Sequence, residues 1–209
     1  CDASIKFSSN TMGGMLQGGV RRNNGKNWFR VRIGVENNAD YSDGNDHRVL
    51  NSRFDGYSAK ASMGFTRKNW VSNNHYAFSY NRFGFIFNDI YDFVFPDDRW
   101  SRSLADNPAH FVILHILSSE NTIQLPKSKL SVNVGFQSNQ RMENEGGGKI
   151  SLNMQLLTFQ YLLKYECKLN DENRLIVSHL GAVEQNTNFG ARKIVPNAQM
   201  MEGNISVYL

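Results

Sequence analysis

The stretch that decides the fold is KLSVNVGFQSNQRMENEGGGKISLNMQLLTFQYLLKY, residues 129–165. In its first arm, apolar residues occupy every second position from Leu130 to Phe136, and polar or small residues fill the positions between them. The second arm repeats this alternation from Leu152 to Leu156. A period of two places the apolar side chains on one face of a strand and the polar ones on the other. We therefore predict two long amphipathic strands, joined by a polar, glycine-rich connection over residues 141–149.

The same alternation recurs along most of the chain and predicts about nine or ten strands. Clear examples are residues 29–35 and 57–66, where apolar and polar residues again alternate. The parity of the apolar positions changes near Arg82 and again at Leu156-Leu157. A change of parity is what an extra residue in a strand would produce, so we predict a β-bulge at both places.

The connections between these strands alternate in length. Short turns are predicted at 23–26, 67–74, 126–129 and 170–173, and longer polar segments at 37–55, 88–110, 140–149 and 186–199. In an up-and-down sheet, every second connection falls on the same rim. All short turns then lie on one rim and all long loops on the other, which is typical of outer-membrane β-barrels.

Composition narrows the classes of function. The 209 residues allow one large domain or a piece of a larger protein, and we expect a piece because the chain ends within an alternating run at Leu209. No apolar run reaches the roughly 18 residues of a transmembrane helix. The net charge of +4 comes without a basic run, which argues against nucleic acid as a partner. Two cysteines, Cys1 and Cys167, are too few for a disulfide framework.

A soluble β-sandwich would show the same alternation as a membrane barrel. Three features favour the membrane: strands of about 10 residues or more, the loop asymmetry, and aromatic residues near the predicted strand ends. These aromatic residues are Trp28, Tyr57, Trp70, Tyr76 and Tyr165. We therefore predict an all-β fold, an antiparallel up-and-down transmembrane β-barrel of which this chain forms a part.

Longer motifs resemble a known family. These motifs are KSKLSVNVGFQSNQRMEN (127–144), SLNMQLLTFQYLLKY (151–165) and EQNTNFGARKIVPNAQM (184–200). They look like the barrel of TonB-dependent outer-membrane receptors, in particular the ferric-citrate-receptor-like proteins of Bacteroidetes-type bacteria. The segments FRVRIGVENNADY (29–41) and VLNSRFDGYSAKASMGF (49–65) resemble an early barrel strand and its returning partner in the same group.

The resemblance implies that residues 1–209 are part of a receptor barrel domain, about half of a 22-stranded wall. A plug domain and the remaining strands would lie outside this chain. Such a receptor sits in the outer membrane of a Gram-negative bacterium and contacts its lipid. It imports a metal chelate, such as a siderophore, or another bulky nutrient, and the TonB complex energises it through the plug. A passive porin and a soluble β-sandwich binding module remain the alternatives.

Candidate ligand-binding residues follow from the strand parity. Arg30, Arg32 and Glu36 should face the lumen of the barrel, and so should Gln137, Asn139, Arg141 and Glu143. Such a polar wall could contact the plug or an anionic ligand such as a ferric chelate. Ordinary solvation of the lumen and cross-strand charge pairing explain the same residues.

Other chemistries find little support in the sequence. Asp40, Asp43, Asn45 and Asp46 cluster in one segment, but their spacing matches no EF-hand, and Asp and Asn are common in turns. The five histidines lack zinc-ligand spacing, and the triple glycine 146–148 lacks the continuation of a phosphate loop. With no nucleophile elbow and no CxxC motif, the sequence predicts no enzyme, no metal site and no cofactor.

Overall fold

In the computed structural model, which describes residues 1–86, 88–104 and 106–209, ten antiparallel strands form one sheet. Each strand is hydrogen-bonded to the next strand in the chain, so β1 and β10 are the two edges of an open sheet. This confirms the predicted all-β, up-and-down architecture. The strands are β1 (Asp2–Ser8), β2 (Gly13–Asn23), β3 (Asn27–Asn38), β4 (Phe54–Thr66), β5 (Trp70–Gly84), β6 (Ala109–Gln124), β7 (Ser128–Asn144), β8 (Ile150–Lys168), β9 (Arg174–Asn188) and β10 (Ala198–Tyr208).

One short helix, α1 (Ile90–Phe93), lies in the connection between β5 and β6. None of the helices in the described ranges has the length and apolar character needed to cross a membrane.

The register of the sheet sorts the side chains onto two faces. Residues paired across neighbouring strands point to the same side, and Phe136 pairs with Leu117 on β6 and with Phe159 on β8. On β3 and β4, Val31 pairs with Ala61 in the same way. We call the side that carries these residues the apolar face, and the opposite side, which carries Arg30 and Gln137, the polar face.

Neither predicted bulge is present. The pairing runs without a shift through Arg82 and through Leu156-Leu157, and the one irregularity on β7 and β8 falls between Glu143 and Asn144. On β8 the parity changes because the polar face is covered near its loop end. Leu152 lies on that face and is fully buried, next to Arg192 of the β9–β10 connection.

The connections divide between two rims. The turns 24–26, 67–69, 125–127 and 169–173 form one rim, which we call the short-turn rim. The connections 9–12, 39–53, 85–108, 145–149 and 189–197 form the other, which we call the loop rim. Two connections on the loop rim are long, as predicted. The predicted loop over 140–149 is wrong in its first half, because β7 continues to Asn144.

The buried apolar residues lie at the loop rim rather than along the sheet. Leu50, Ile90 and Val94 form a cluster between the two long connections. Side chains in the middle of the sheet are half-buried or exposed on both faces, so most of the buried residues lie at the loop rim. The buried apolar residues in the described ranges are Ala39, Leu50, Ile90, Val94, Leu104, Ala109 and Leu152.

The aromatic residues only partly follow the sequence prediction. Trp70 and Tyr165 lie on the apolar face in the last rows before the short-turn rim, and the edge of Trp70 contacts Phe65 at 4.8 Å between ring centroids. Tyr57 lies toward the loop end of that face. Tyr76, however, is in the middle of β5 and pairs with Ala61. Trp28 is on the polar face, 6.1 Å from the ring of His75.

Candidate functional site: the polar face and the loop rim

The sequence-predicted lumen residues all lie on the polar face. They do not form one compact site, because β4, β5 and β6 separate β3 from β7. At a strand spacing of about 4.8 Å, the two groups are roughly 19 Å apart. Rows of paired residues connect them: Arg32 is in the same row as Gln137, and Glu36 is in the same row as Arg141. The group on β3 is Arg30, Arg32 and Glu36, and the group on β7 is Gln137, Asn139, Arg141 and Glu143.

Basic residues oppose one another on the first strands of the polar face. Arg21 pairs directly with Arg30, and Arg32 pairs directly with Lys60. Like charges in such positions destabilise a sheet. Asp2 forms an ion pair with Arg32, while Arg21, Arg30 and Lys60 have no ion-pair partner among the described residues. This part of the polar face is therefore positively charged and open to an anion.

The two acidic residues of the predicted ligand-binding set, Glu36 and Glu143, contact neighbouring side chains of the protein. Glu143 is buried and forms an ion pair with Arg141 at 3.0 Å, and His110 Nδ1 lies 3.2 Å from its carboxylate. Glu36 accepts a hydrogen bond from the side chain of Asn38 at 3.2 Å. Glu143 therefore pairs across strands, with His110 on β6, whereas Glu36 bonds along its own strand.

The most developed polar constellation lies at the loop rim. Its centre is Arg53, whose side chain is fully buried. The guanidinium donates to both carboxylate oxygens of Asp40, at 3.1 and 2.8 Å, and to both oxygens of Asp97, at 2.8 and 2.9 Å. It also donates to Ser101 Oγ at 3.0 Å. Bidentate pairs of this kind are the strongest that arginine makes.

A second arginine completes this network. Arg48 donates to Asp40 at 2.9 Å through Nε and to Asp97 at 2.6 Å through Nη2. Two guanidinium groups and two carboxylates therefore balance in charge. We call Asp40, Arg48, Arg53 and Asp97 the arginine–aspartate network. It joins the 39–53 connection to the 85–108 connection.

The environment shifts the pKa values of the network. Burial alone would raise the pKa of Asp40, but hydrogen bonds from Arg53 and Arg48 outweigh burial and hold that pKa below its ordinary value. The hydrogen bond from Arg53 holds the pKa of Asp97 far below its ordinary value. Burial would lower the pKa of Arg53, but its bonds to Asp97 and Asp40 raise it instead. Asp40, Arg53 and Asp97 are therefore charged at neutral pH.

Further contacts hold the loops together. Arg99 donates to the backbone oxygen of Asp40 and to Ser42 Oγ at 3.1 Å. Arg102 donates to the backbone oxygen of Met12 in the β1–β2 connection. Asn51 donates to the backbone oxygens of Phe85 and Pro108 at 2.9 and 2.8 Å. Three connections of the loop rim thus form one hydrogen-bonded layer.

Two carboxylates of the cluster considered for calcium, those of Asp40 and Asp43, make hydrogen bonds within the protein. The carboxylate of Asp40 is occupied by arginines, and Asp43 Oδ1 accepts from the backbone N–H groups of Asn45 and His47, both at 2.9 Å. These backbone bonds lower the pKa of Asp43. Turn formation therefore accounts for this cluster. In the part of the chain that the structure describes, no group of three or more His, Cys, Asp or Glu residues could hold a metal ion.

The triple glycine serves a local purpose. Gly146, Gly147 and Gly148 all have positive φ angles, of 120°, 70° and 73°. Glycine adopts such angles without steric cost. The N–H of Gly147 donates to the backbone oxygen of Asp106 at 2.9 Å, which attaches this connection to its neighbour.

The sequence analysis missed the arginine–aspartate network. Arg53 and Asp97 are 44 residues apart, and no periodic pattern relates them. The sequence feature that could have indicated packing here is the presence of apolar residues in the two long segments, 37–55 and 88–110. Leu50, Ile90 and Val94 indicate that these segments pack against something instead of extending into solvent.

Neither of two comparisons with known proteins identifies a relative: no protein-family model matches the chain, and no curated protein matches it. The resemblance of the strand and loop motifs to a receptor family therefore stays a prediction. What supports a function is the arrangement of the two faces and the two rims.

Proposed function

We propose that this chain is part of the wall of an outer-membrane β-barrel, supplying ten of about 22 strands. The whole protein would be a receptor of the TonB-dependent type in a Gram-negative outer membrane. It would take up a metal chelate or a similar bulky nutrient, with energy from the TonB complex passed through a plug domain. The observation that supports this best is the continuous exposed apolar face.

The apolar face is too large for an ordinary soluble surface. Its exposed side chains extend from Ile33 (63% exposed) through Leu117 (53%) and Phe159 (44%) to Met201 (69%). Seven strand spacings of about 4.8 Å, from β3 to β10, and a height of about 26 Å give roughly 900 Å². Soluble monomers rarely expose contiguous apolar patches above a few hundred Å². Lipid is the partner that would cover the whole of this face.

The height of the apolar face fits a membrane. On β5 the aromatic side chains run from Trp70 to Tyr80. Ten residues at about 3.4 Å, tilted by about 40°, span about 26 Å, against about 25 Å for the apolar band of outer-membrane barrels. One row beyond Tyr80, Arg82 and Asp55 form an ion pair at 2.6 Å on the same face. Charged side chains therefore reappear on the apolar face at the height where the headgroup region would begin.

Polar side chains on the apolar face bond to one another. Asn74 donates to Ser72 at 3.1 Å, and the hydroxyl of Tyr76 lies 2.9 Å from His115 Nδ1. The hydroxyl of Tyr161 lies 3.1 Å from His179 Nδ1. In hydrocarbon every polar group needs a partner within the protein, so this internal pairing suits a lipid-facing surface.

The polar face supports an anionic cargo. Arg21, Arg30 and Lys60 are exposed and close to one another on neighbouring strands. A ferric chelate is such an anion, and an acidic segment of the plug is another. The hydrogen-bonded layer at the loop rim would present a fixed outer surface to the arriving ligand, since its loops are linked to one another.

The experiment uses the full-length protein in a Gram-negative host. We expect it to fractionate with the outer membrane and to support uptake of a labelled ferric chelate only when TonB is functional. Uptake that persists without TonB would indicate a passive porin. A monodisperse protein in detergent-free buffer would indicate a soluble sandwich, and would refute the membrane assignment.

A pair of variants tests the polar face within the same assay. Replacing Arg30 and Lys60 with glutamine removes two exposed charges from that face and should weaken uptake. Replacing Lys149 and Lys193 with glutamine removes the same charge from the loop rim, where both residues are exposed. Equal effects of the two pairs would show that net charge, and not the polar face, controls uptake.

A further inference from the structure

The short-turn rim has a marked excess of positive charge along its first three turns. Residues 3–35, 56–88 and 121–142, which contain these turns, include no Asp or Glu. The fourth turn differs, because it contains Asp171 and Glu172, and Asp171 pairs with Lys168 at 2.6 Å. The cations within two residues of the first three turns are Arg22, Lys26, Arg67, Lys68, Lys127 and Lys129, and Lys129 lies 3.8 Å from Glu166.

This charge is continuous with the apolar face. Arg22 pairs with Phe29, so its side chain projects on the apolar face itself. The guanidinium of Arg67 lies 5.1 Å above the ring of Phe65, which is also on that face. One surface therefore combines fixed cations with exposed hydrocarbon.

A groove of about 610 Å³ lies at this boundary. Phe29, Met63 and Phe65 supply its apolar wall, while Arg22 and the amide of Asn74 supply polar groups. Arg67 takes part in the local turn, donating to Asn27 Oδ1 at 2.9 Å. Among the described residues, Arg22, Lys26 and Lys68 have neither a side-chain hydrogen bond nor an ion pair, so these three are free to bind an anion.

We propose that this surface binds the headgroup of an anionic phospholipid, with the phosphate near Arg22 and an acyl chain along Phe29 and Met63. The proposal rests on the membrane location argued above. An acidic protein would use the cations but would leave the exposed hydrocarbon beside them uncovered. A phospholipid satisfies both, because it carries its charge and its acyl chains in one molecule.

The expected size of the effect follows from the number of cations. Each Lys or Arg near an anionic membrane surface strengthens binding about fivefold. Removing three should therefore reduce the preference for anionic over zwitterionic lipid by up to about 100-fold.

The test uses the full-length protein, purified in neutral detergent and titrated with short-chain phosphatidylglycerol or phosphatidylcholine. Native mass spectrometry counts the bound lipids. The unmodified protein should prefer phosphatidylglycerol, and the variant Arg22→Gln/Lys26→Gln/Lys68→Gln should lose that preference. The control Lys6→Gln/Arg21→Gln/Lys60→Gln removes the same charge from the polar face and should keep it.

Three results would overturn the proposal: equal binding of both lipids by the unmodified protein, an unchanged preference in the rim variant, or an equal loss in the control. Displacement of phosphatidylglycerol by oligoglutamate at lower concentration would indicate an acidic protein instead. If the rim variant misfolds, salt provides a second measurement. At about 1 M salt the Debye length is about 3 Å, and the preference of the unmodified protein should disappear.

Different results would overturn the membrane location and the lipid site. A protein that does not insert into phosphatidylcholine vesicles overturns the membrane function. A protein that inserts into them but shows no preference for phosphatidylglycerol overturns only the lipid site.

Discussion

Replacing Arg53 with methionine should open the loop rim. Arg53 is the centre of the arginine–aspartate network, with its side chain and that of Asp40 both fully buried. Methionine is flexible and apolar, so it fills much of the space while removing every hydrogen bond of the guanidinium. The buried carboxylate of Asp40 would keep Arg48 as its only charged partner.

The magnitude follows from the contacts that are lost. Removing one partner from a buried ion pair costs about 3–5 kcal/mol, because the other charge stays buried without compensation. Arg48 still reaches both carboxylates, and Asp97 is 38% exposed, so solvent screens part of its charge. We therefore expect the lower end, about 3 kcal/mol. At about 1.4 kcal/mol per factor of ten, this corresponds to a roughly 100-fold increase in local opening.

Hydrogen exchange measures this opening directly. The amide of Ala39 donates to Thr11 at 3.0 Å, and the amide of Val49 donates to Tyr41 at 2.9 Å, so both report on the loop rim. In the reconstituted full-length protein, their exchange should accelerate roughly 100-fold in the Arg53→Met variant. Arg102→Met is the matched control, because Arg102 is exposed and its bonds to the backbone oxygens of Trp100 and Met12 should stabilise the loops less than the buried network does.

A charge-restoring variant sharpens the test. Adding Asp97→Asn to Arg53→Met leaves one arginine and one carboxylate, Arg48 and Asp40, which still pair at 2.8 Å. The double variant should therefore exchange more slowly than Arg53→Met alone. If Arg53→Met changes exchange no more than Arg102→Met does, the network does not hold the loops, and the reasoning is wrong.

Three further predictions use the same reconstituted protein. Because both network carboxylates have pKa values below their ordinary value of about 3.9, their contribution to loop stability should be complete above about pH 4 and fall as the pH drops below it, as exchange measured across that range would show. Val134→Arg should cost about 2–4 kcal/mol and block folding into vesicles, while Asn133→Arg on the polar face should be tolerated in the same folding assay. A Cβ on Gly84 would lie 2.0 Å from the backbone oxygen of Asn51, so Gly84→Ala should cost about 1–3 kcal/mol in a denaturant titration, whereas Gly44→Ala, which meets open space, should cost little.

The sheet could be predicted from the sequence because its signals are local. Alternation within a strand fixes which residues share a face, and a turn such as the one at Gly25, with φ of 81°, fixes where the chain reverses. Register then follows, since neighbouring strands must align their apolar faces. Val31 opposite Ala61 and Phe136 opposite Phe159 are examples.

The loop rim could not be predicted, because its contacts are not local. Arg53 meets Asp97 only after β4 and β5 have brought their segments together. The same cause explains the false bulge on β8. Leu152 is on the polar face, and its apolar character was interpreted as a shift in the strand, although it reflects cover by the β9–β10 connection.

The net charge of the chain also gives a wrong impression of its surface, because charge differs from one region to another. A net charge of +4 suggests that charged residues are scattered evenly over the surface, but it is the sum of acidic and basic regions. Nine of the nineteen acidic residues lie in the connections 39–53, 85–108 and 145–149, and none lies in the first three turns of the opposite rim. Within the loops, arginines neutralise part of that acid, whereas Arg22, Lys26 and Lys68 at the first two turns of the short-turn rim form no ion pair with a described residue. Charge therefore varies along the strand axis, and an anion would be attracted to the turns and to the first strands of the polar face far more than the total suggests.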